Sequence, residues 1–294
     1  MRVAVVGARG QLGAALVHEF AKAHETAAFG RAELDISDEA ALAAILTRVK
    51  PEVILNAAAF TNVDAAEDRP IEALNSNAFG VRALARAASA HDATLVHYST
   101  DFVFEGKSVV PYVETDTPNP QSVYAASKLL GEWFALDAPR AYVLRVEGVF
   151  GTTPGAGPPK GSAAGILNSL RADGTARVFV DRTITPSYVT DVARATRQLL
   201  EMSAPAGLYH CVNSGVTTWL EFAEEMARLL GIDARLTPVH LAEMHLRATR
   251  PVYCALSNAK LRGLGIEMPT WQESLKRYLQ TLGHEVAHEI ADRQ

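Results

Sequence analysis

The segment RVAVVGARGQLG, residues 2–13, restricts the fold of this chain more than any other. RVAVVG is an apolar run of buried-strand type, and QLGAALVHEFAKA (11–23) repeats apolar residues at helical spacing. Between them, Gly7, Gly10 and Gly13 follow a G-x-x-G-x-x-G spacing, one residue longer at the start than the usual dinucleotide fingerprint. Glycines at such a junction let the backbone turn sharply, approach a pyrophosphate and seat helix against strand, while the helix N-terminus offers amides and a positive dipole. Arg9, Gln11 and Leu12 fill the remaining positions of this cofactor-facing turn.

The same alternation continues. TAAF (26–29), EVILNAAA (52–59), ATLVHYST (93–100) and AYVLRV (141–146) read as strands. Helical periodicity separates them at 38–49, along a stretch ending near Ala90, and around Tyr124. Alternating strands and helices imply parallel pairing with right-handed crossovers. The expected fold is therefore α/β, a doubly wound, Rossmann-like parallel sheet with ligands at the carboxyl ends of its strands. GTTPGAGPPKGSAAG (151–165) is too rich in Gly and Pro for regular structure and reads as a loop near a site. Helical stretches at 163–172, 188–202, 217–230 and 271–282 then alternate with short strands at 177–181 and 207–212. That is too little for a second doubly wound sheet. The expectation is a dinucleotide-binding domain over 1–150, to which elements near 177–212 return, and a smaller substrate-binding lobe over 151–294.

Charge and composition exclude several partners. A formal net charge of −5 without a basic cluster argues against nucleic acid. No run of about 18 apolar residues is present to cross a membrane. No leader-like segment precedes the first strand, and Cys211 and Cys254, in apolar surroundings, read as buried thiols of a reducing compartment. A cytoplasmic protein is expected. HEVAH (284–288) matches a zinc-protease pattern, but with six residues after it a third ligand has no room, and an exposed helix face is expected with no metal. Trp219 and Trp271 are expected as core anchors of the small lobe.

SVYAASK (122–128) places Tyr124 one helical turn before Lys128 on a shared face. An ammonium about 4 Å from a phenol, at an effective dielectric near 20, favours the phenolate by roughly 4 kcal/mol. The phenol would then titrate up to about three units lower, as suits a general acid for a carbonyl receiving hydride. HYSTDFVF (97–104) brings Ser99 and Thr100 to the end of a central strand, where Thr100 can donate to the same oxygen. For the cofactor's ribose, FGRAELD (29–35) offers Arg31, helped by Arg9, to a 2′-phosphate, which favours NADPH over NADH. A solvated surface role for Arg31 stays open. Asp35 and Ile36 would flank the adenine.

These residues resemble the extended short-chain dehydrogenase/reductase family. NAAAFTNVDAAE (56–67), HYSTDFVF, YAASKLLGE (124–132), GLYHCVNSGVTTW (207–219), TRPVYCALSNAKL (249–261) and MPTWQESLKRYL (268–279) resemble, within it, the dTDP-4-dehydrorhamnose reductase family almost end to end. The resemblance implies Thr100, Tyr124 and Lys128 as the catalytic set. It implies that Asn56, Ala57, Ala58 and Ala59 line the cofactor, that Asn77 supports the Tyr–Lys pair through water, and that Asp101 touches the sugar. It also implies NADPH or NADH reducing the 4-keto group of dTDP-4-dehydro-β-L-rhamnose. LRVEGVFG (144–151) departs from the family's L-R-x-S-W-V-Y-G: Glu147 stands for serine and Gly148 for a tryptophan at the substrate pocket. Arg182, Lys160 and Arg250 are candidate hands for the nucleotide diphosphate.

Two other functions compete. A sugar-nucleotide dehydratase or epimerase shares the fold, but dehydratases carry Thr-Asp-Glu, and here Phe102 stands where the glutamate's proton is needed. A non-catalytic regulatory subunit, such as that of methionine adenosyltransferase, would not need the intact Thr100–Tyr124–Lys128 set. The oligomeric state is left open, a homodimer among the options.

Overall fold

In the computed structural model, which describes residues 1–291 with side chains through residue 283, the chain opens as the glycine pattern requires. Strand β1 (Arg2–Val6), helix α1 (Gln11–Phe20), β2 (Glu25–Phe29), α2 (Glu39–Val49) and β3 (Val53–Asn56) form the first half of the sheet. Three short segments follow: α3 (Val63–Asp68), α4 (Pro70–Leu74) and α5 (Gly80–Ala90), with a π-helical turn at Asn75–Phe79 before the last. Then come β4 (Thr94–Thr100), α6 (Val123–Leu136) and β5 (Ala141–Val146). The remainder runs α7 (Ser162–Asp173), β6 (Thr175–Phe179), β7 (Thr183–Ile184), α8 (Val189–Glu201), β8 (Gly207–His210), β9 (Thr217–Thr218), α9 (Trp219–Leu230), β10 (Arg235–Val239), α10 (Ala259–Gly263) and α11 (Trp271–Ala291).

Among the described residues, six strands form one sheet in the order β2-β1-β3-β4-β5-β8, every neighbouring pair parallel. The chain steps outward from β1 to β2 and then returns across it to β3, so the switch of direction falls beside β1, where a crevice for ligand opens. Helices on both faces explain why the central strands are almost wholly apolar. Val3 and Val5 of β1 enter one core cluster while Ala4 and Val6 enter another on the opposite face, as period-two side chains must.

β8 joins the sheet beside β5, and α8 packs on α1 with Arg197 Nε 2.8 Å from Glu19 Oε1. β6 pairs with β10 and β7 with β9 outside the main sheet. Arg277 of α11 is tied to the buried Asp191 of α8 at 2.7 Å. Three strands of this part, β7, β9 and β10, were not legible in the sequence: two-residue strands carry no period, and Pro238 interrupts the third. The helical stretch expected to run to Ala90 is divided at Arg69–Pro70 and again at the π turn. Helix α6 is capped by Ser122, whose hydroxyl accepts from Ala125 N. It lies so close to the π turn that a Cβ on Gly131 would stand 2.1 Å from the Asn77 carbonyl oxygen. The HEVAH side chains lie outside the described residues.

Candidate active site

The glycine turn is built by close approach. Gly7 has φ +79°, and a Cβ there would lie 2.5 Å from Ala58 N. The turn thus rests directly on the segment leaving β3, where Ala57, Ala58 and Ala59 stand. A Cβ on Gly13 would lie 2.1 Å from the Gly7 carbonyl oxygen, which seats α1 on the turn. Gly10 is the N-cap of α1 and gives no side-chain cap, and the first turn holds no acid, so backbone amides there remain free for an anion. Gln11 does not point into this anion site. Its amide donates to Gly151 O at 2.9 Å and accepts from Lys160 N at 3.2 Å, while Gly157 N bonds Arg9 O at 2.9 Å. The Gly/Pro-rich loop is thereby fastened over the glycine turn. Leu12 packs against the core beneath.

At the end of β2, two exposed guanidinium groups stand together. Arg9 Nη2 lies 3.5 Å from Glu33 Oε1 and Arg31 Nε lies 3.8 Å from Asp35 Oδ2. Asp35 accepts from the Ser37 hydroxyl and amide, and these bonds, with Arg31, hold its carboxyl below the usual range. The Ile36 side chain is buried in the core, where a Cβ on Gly80 would meet it.

Asn56 and Asn77 act as fasteners. Asn56 Oδ1 accepts from Ala58 N, and its amide nitrogen lies 3.1 Å from His97 Nδ1. Because that nitrogen donates, His97 Nδ1 accepts and its proton sits on Nε2, 3.5 Å from Lys128 Nζ. Burial keeps His97 neutral. Asn77 was expected to reach the Tyr–Lys pair through water. Its side-chain amide bonds the Phe60 backbone in both directions and the Ser127 hydroxyl at 3.0 Å, joining the β3 loop to α6.

Thr100 ends β4 and its hydroxyl stands beside the Tyr124 phenol, which packs edge-on against Phe102. Lys128 lies on the same helix but does not bond the phenol among the described residues. Its Nζ donates to the Tyr98 carbonyl at 2.6 Å. The expected direction of the phenol's titration is therefore overturned. Burial and the Asp101 carboxylate push Tyr124 up, and the Thr100 hydroxyl offsets only part of this. Burial lowers Lys128 to about 8, against the opposing pull of Glu132.

Arg182, Arg250, Gly148 and Asp101 were expected to meet the substrate. Arg182 is no free surface hand: it is buried, with Nε on Pro251 O at 3.2 Å and Nη2 on Cys254 Sγ at 3.1 Å, its guanidinium over the Phe102 ring. Arg250 is held in a two-point ion pair with Asp64 of α3 at 2.9 and 2.6 Å, and the pair draws Asp64 down to about 2. Gly148 adopts φ +49°, and a Cβ there would meet the Trp219 ring edge at 3.4 Å. Trp219 belongs to the core cluster as expected, yet its indole N–H is buried without a partner among the described residues. Asp101 is buried against Thr100, its Oδ1 accepting from the hydroxyl at 3.0 Å. Sequence reasoning missed His97, Ser127 and Glu147 as members of the site. Glu147 alone left a signal, as a carboxylate in place of a serine.

Fold and site together define the class of extended short-chain dehydrogenase/reductases. The model of the RmlD substrate binding domain family matches residues 1–284, and the chain belongs to that family. It is 36% identical over 280 residues to a dTDP-4-dehydrorhamnose reductase of Streptomyces griseus, covering 92% of this chain and 90% of that one. It is 33% identical to a probable dTDP-4,6-dihydroxy-2-methyloxan-3-one 4-ketoreductase of Streptomyces antibioticus, with 94% of each covered. The crystal structure of a Bacillus anthracis dTDP-4-dehydrorhamnose reductase in complex with NADP superposes with a TM-score of 0.89 at 30% identity, covering 95% of this chain and 99% of that one.

Proposed function

We propose that the protein is an NAD(P)H-dependent oxidoreductase that reduces the 4-keto group of a nucleotide-linked deoxysugar, with dTDP-4-dehydro-β-L-rhamnose giving dTDP-L-rhamnose. The observation that carries this reading is the meeting of the Thr100 hydroxyl and the Tyr124 phenol at the carboxyl end of β4, beside the crevice that holds the glycine turn. The residues fit a dinucleotide. Gly7, without a Cβ, lets the turn rest on the Ala57–Ala58 backbone, and the uncapped start of α1 presents amides to a diphosphate. Ala57 and Ala58 wall the turn, and Arg9 and Arg31 stand at the ribose end, supporting NADPH.

When bound, the dinucleotide supplies the hydride. Tyr124 gives its proton to the ketone oxygen as negative charge develops there. Thr100 donates a hydrogen bond to the same oxygen. Lys128, protonated, places positive charge behind the phenol, and its bond to Tyr98 O fixes it to the floor of the strand. Asp101 and Gly148 face the sugar in this reading, Arg182 supports Asp101 from below, and Arg250 shapes the rim through Asp64. The cofactor unit is residues 1–150 with α8 and β8, and the rest of 151–294 is the substrate lobe.

No described helix is long and apolar enough to cross a membrane. A cytoplasmic location, with no nucleic-acid partner, belongs to the same proposal. Ile71, Phe79 and Trp133 are exposed on α4, the π turn and α6, elements that pack on one another, and exposed apolar side chains there support a homodimer.

The test follows absorbance at the NADPH band across a panel of 4-keto sugar nucleotides. Oxidation is expected only when a keto sugar is supplied, and Tyr124→Phe should lower turnover by ~10²-fold or more. Unchanged turnover in that variant removes Tyr124 from the mechanism.

A further inference from the structure

Asp101 and Glu147 follow neighbouring strands. In the β4–β5 ladder Thr100 is paired with Val146, so the next residue on each strand falls side by side at the carboxyl edge of the sheet. Both are buried, at 3% and 2% exposure. Each has one satisfied oxygen. Asp101 Oδ1 accepts from Thr100, and Glu147 Oε2 accepts from the Thr185 amide at 2.6 Å and hydroxyl at 2.7 Å. Asp101 Oδ2 and Glu147 Oε1 are buried without a hydrogen-bond partner among the described residues. An oxygen of each carboxyl and the Cys254 sulfur lie within 4.8 Å of one another.

This trio is poorly made for a cation. The Arg182 guanidinium already occupies the Cys254 sulfur at 3.1 Å, and burial pushes the thiol's titration up. The groups that face the two carboxyls are Arg182, Cys254, Tyr124 on the Asp101 side and Tyr253 on the Glu147 side. One guanidinium stands against two carboxyls in a medium where like charges at close range do not both ionise.

We propose that Asp101 and Glu147 share one proton, and that this buried pair returns a proton through the Thr100 hydroxyl to Tyr124 after each reduction. The proposal rests on the reductase reading of the same site. In the resting site the Thr100 hydroxyl donates to Asp101 Oδ1. Once Tyr124 has given its proton to the substrate oxygen, that hydroxyl turns to the phenolate and its proton moves there. The Asp101 carboxyl turns its O–H to the Thr100 oxygen and gives up that proton, so that hydroxyl and phenol are both restored. The pair is left without its proton and one charge more negative beside Arg182, and a solvent proton restores it when product leaves. Burial, first, holds Asp101 up at about 6 and Glu147 well above the carboxylate range. Glu147 acts through Asp101 and is a positioning residue for this proton.

Glu147→Gln keeps the shape, because its amide oxygen can accept from both Thr185 donors while its NH2 group faces Asp101. Infrared spectroscopy of substrate-free protein near neutral pH should show a protonated carboxylic-acid band that disappears in Glu147→Gln and in Asp101→Asn. With cofactor and keto sugar, Glu147→Gln should lose roughly tenfold in kcat at unchanged KM. It should also change its solvent deuterium isotope effect. No acid band in the wild type overturns the shared proton. A wild-type band together with wild-type kcat and isotope effect in Glu147→Gln overturns the relay. If Glu147→Gln does not fold, the wild-type band, its titration and Asp101→Asn decide the matter. The band is read without substrate, so failure of the reductase reading does not remove it.

Discussion

Replacing Lys128 with methionine should separate stability from catalysis, and pH should reveal why. Lys128 is 3% exposed, and burial lowers its pKa from 10.5 to about 8. That difference, at about 1.36 kcal/mol per unit, makes carrying the cation at pH 7 cost about 3 kcal/mol relative to the unfolded chain. Above pH 8 the folded protein releases this proton while the unfolded chain keeps it. Wild-type stability therefore gains a contribution that is complete above pH 10.5 and is lost as pH falls through 8. Between pH 7 and 9.5 the gain is about 2 kcal/mol, one and a half units at the same conversion. Lys128→Met has no such term. At pH 7 it escapes the cost of about 3 kcal/mol but leaves the Tyr98 carbonyl without its donor, a loss of about 1–3 kcal/mol. The variant should therefore equal or exceed wild-type stability at pH 7 and fall behind by about 2 kcal/mol relative to that gap at pH 9.5, while turnover collapses. Urea denaturation of both proteins at the two pH values measures the gap directly, since titrating groups that do not interact with Lys128 cancel in the difference. A gap that does not move with pH refutes the reasoning and with it the lowered titration of Lys128.

Other expectations follow from the same geometry. Arg31→Ala should raise KM for NADPH by roughly tenfold while sparing NADH, the loss of one charge-assisted contact. Equal changes with both cofactors would return Arg31 to the surface role. Asp64→Asn should cost about 1 kcal/mol at pH 7, after discounting for solvent because the carboxylate is 37% exposed. Asp64 is depressed from 3.8 to about 2, so this contribution is present above pH 4 and lost as pH falls towards 2; melting curves that stay parallel across that window would contradict it. The proposed homodimer should sediment as a dimer in the wild type and as a monomer in Trp133→Glu; a monomeric wild type removes the proposal, and an unaltered dimer in the variant moves the contact away from α6.

The glycine turn and the central strands were legible because their signals are local: spacing of three glycines, and apolar runs buried on both faces. Thr100, Tyr124 and Lys128, the proposed catalytic set, stood out in the same way, from i to i+4 spacing and from a threonine at a strand end. Their electrostatics were not. The sequence shows Lys128 one turn from Tyr124, but its hydrogen-bond partner is the carbonyl of Tyr98 on another element, and no spacing announces that. Arg182 and Arg250 looked like free cations because burial and ion pairing are set by residues as distant in sequence as Cys254 and Asp64. Glu147 was visible only as a departure from the family pattern. Its meaning depends on which residue ends the neighbouring strand.

Gly131 has a last consequence. Since a single methyl there would collide with the Asn77 oxygen, the helix carrying Tyr124 is located by a hydrogen atom's width of clearance. Alanine, the gentlest change by helix propensity, would act as a wedge, tilting Tyr124 away from Thr100 while leaving every reacting group chemically intact. Tolerance to mutation along this helix should therefore follow distance from that contact more closely than distance from the chemistry.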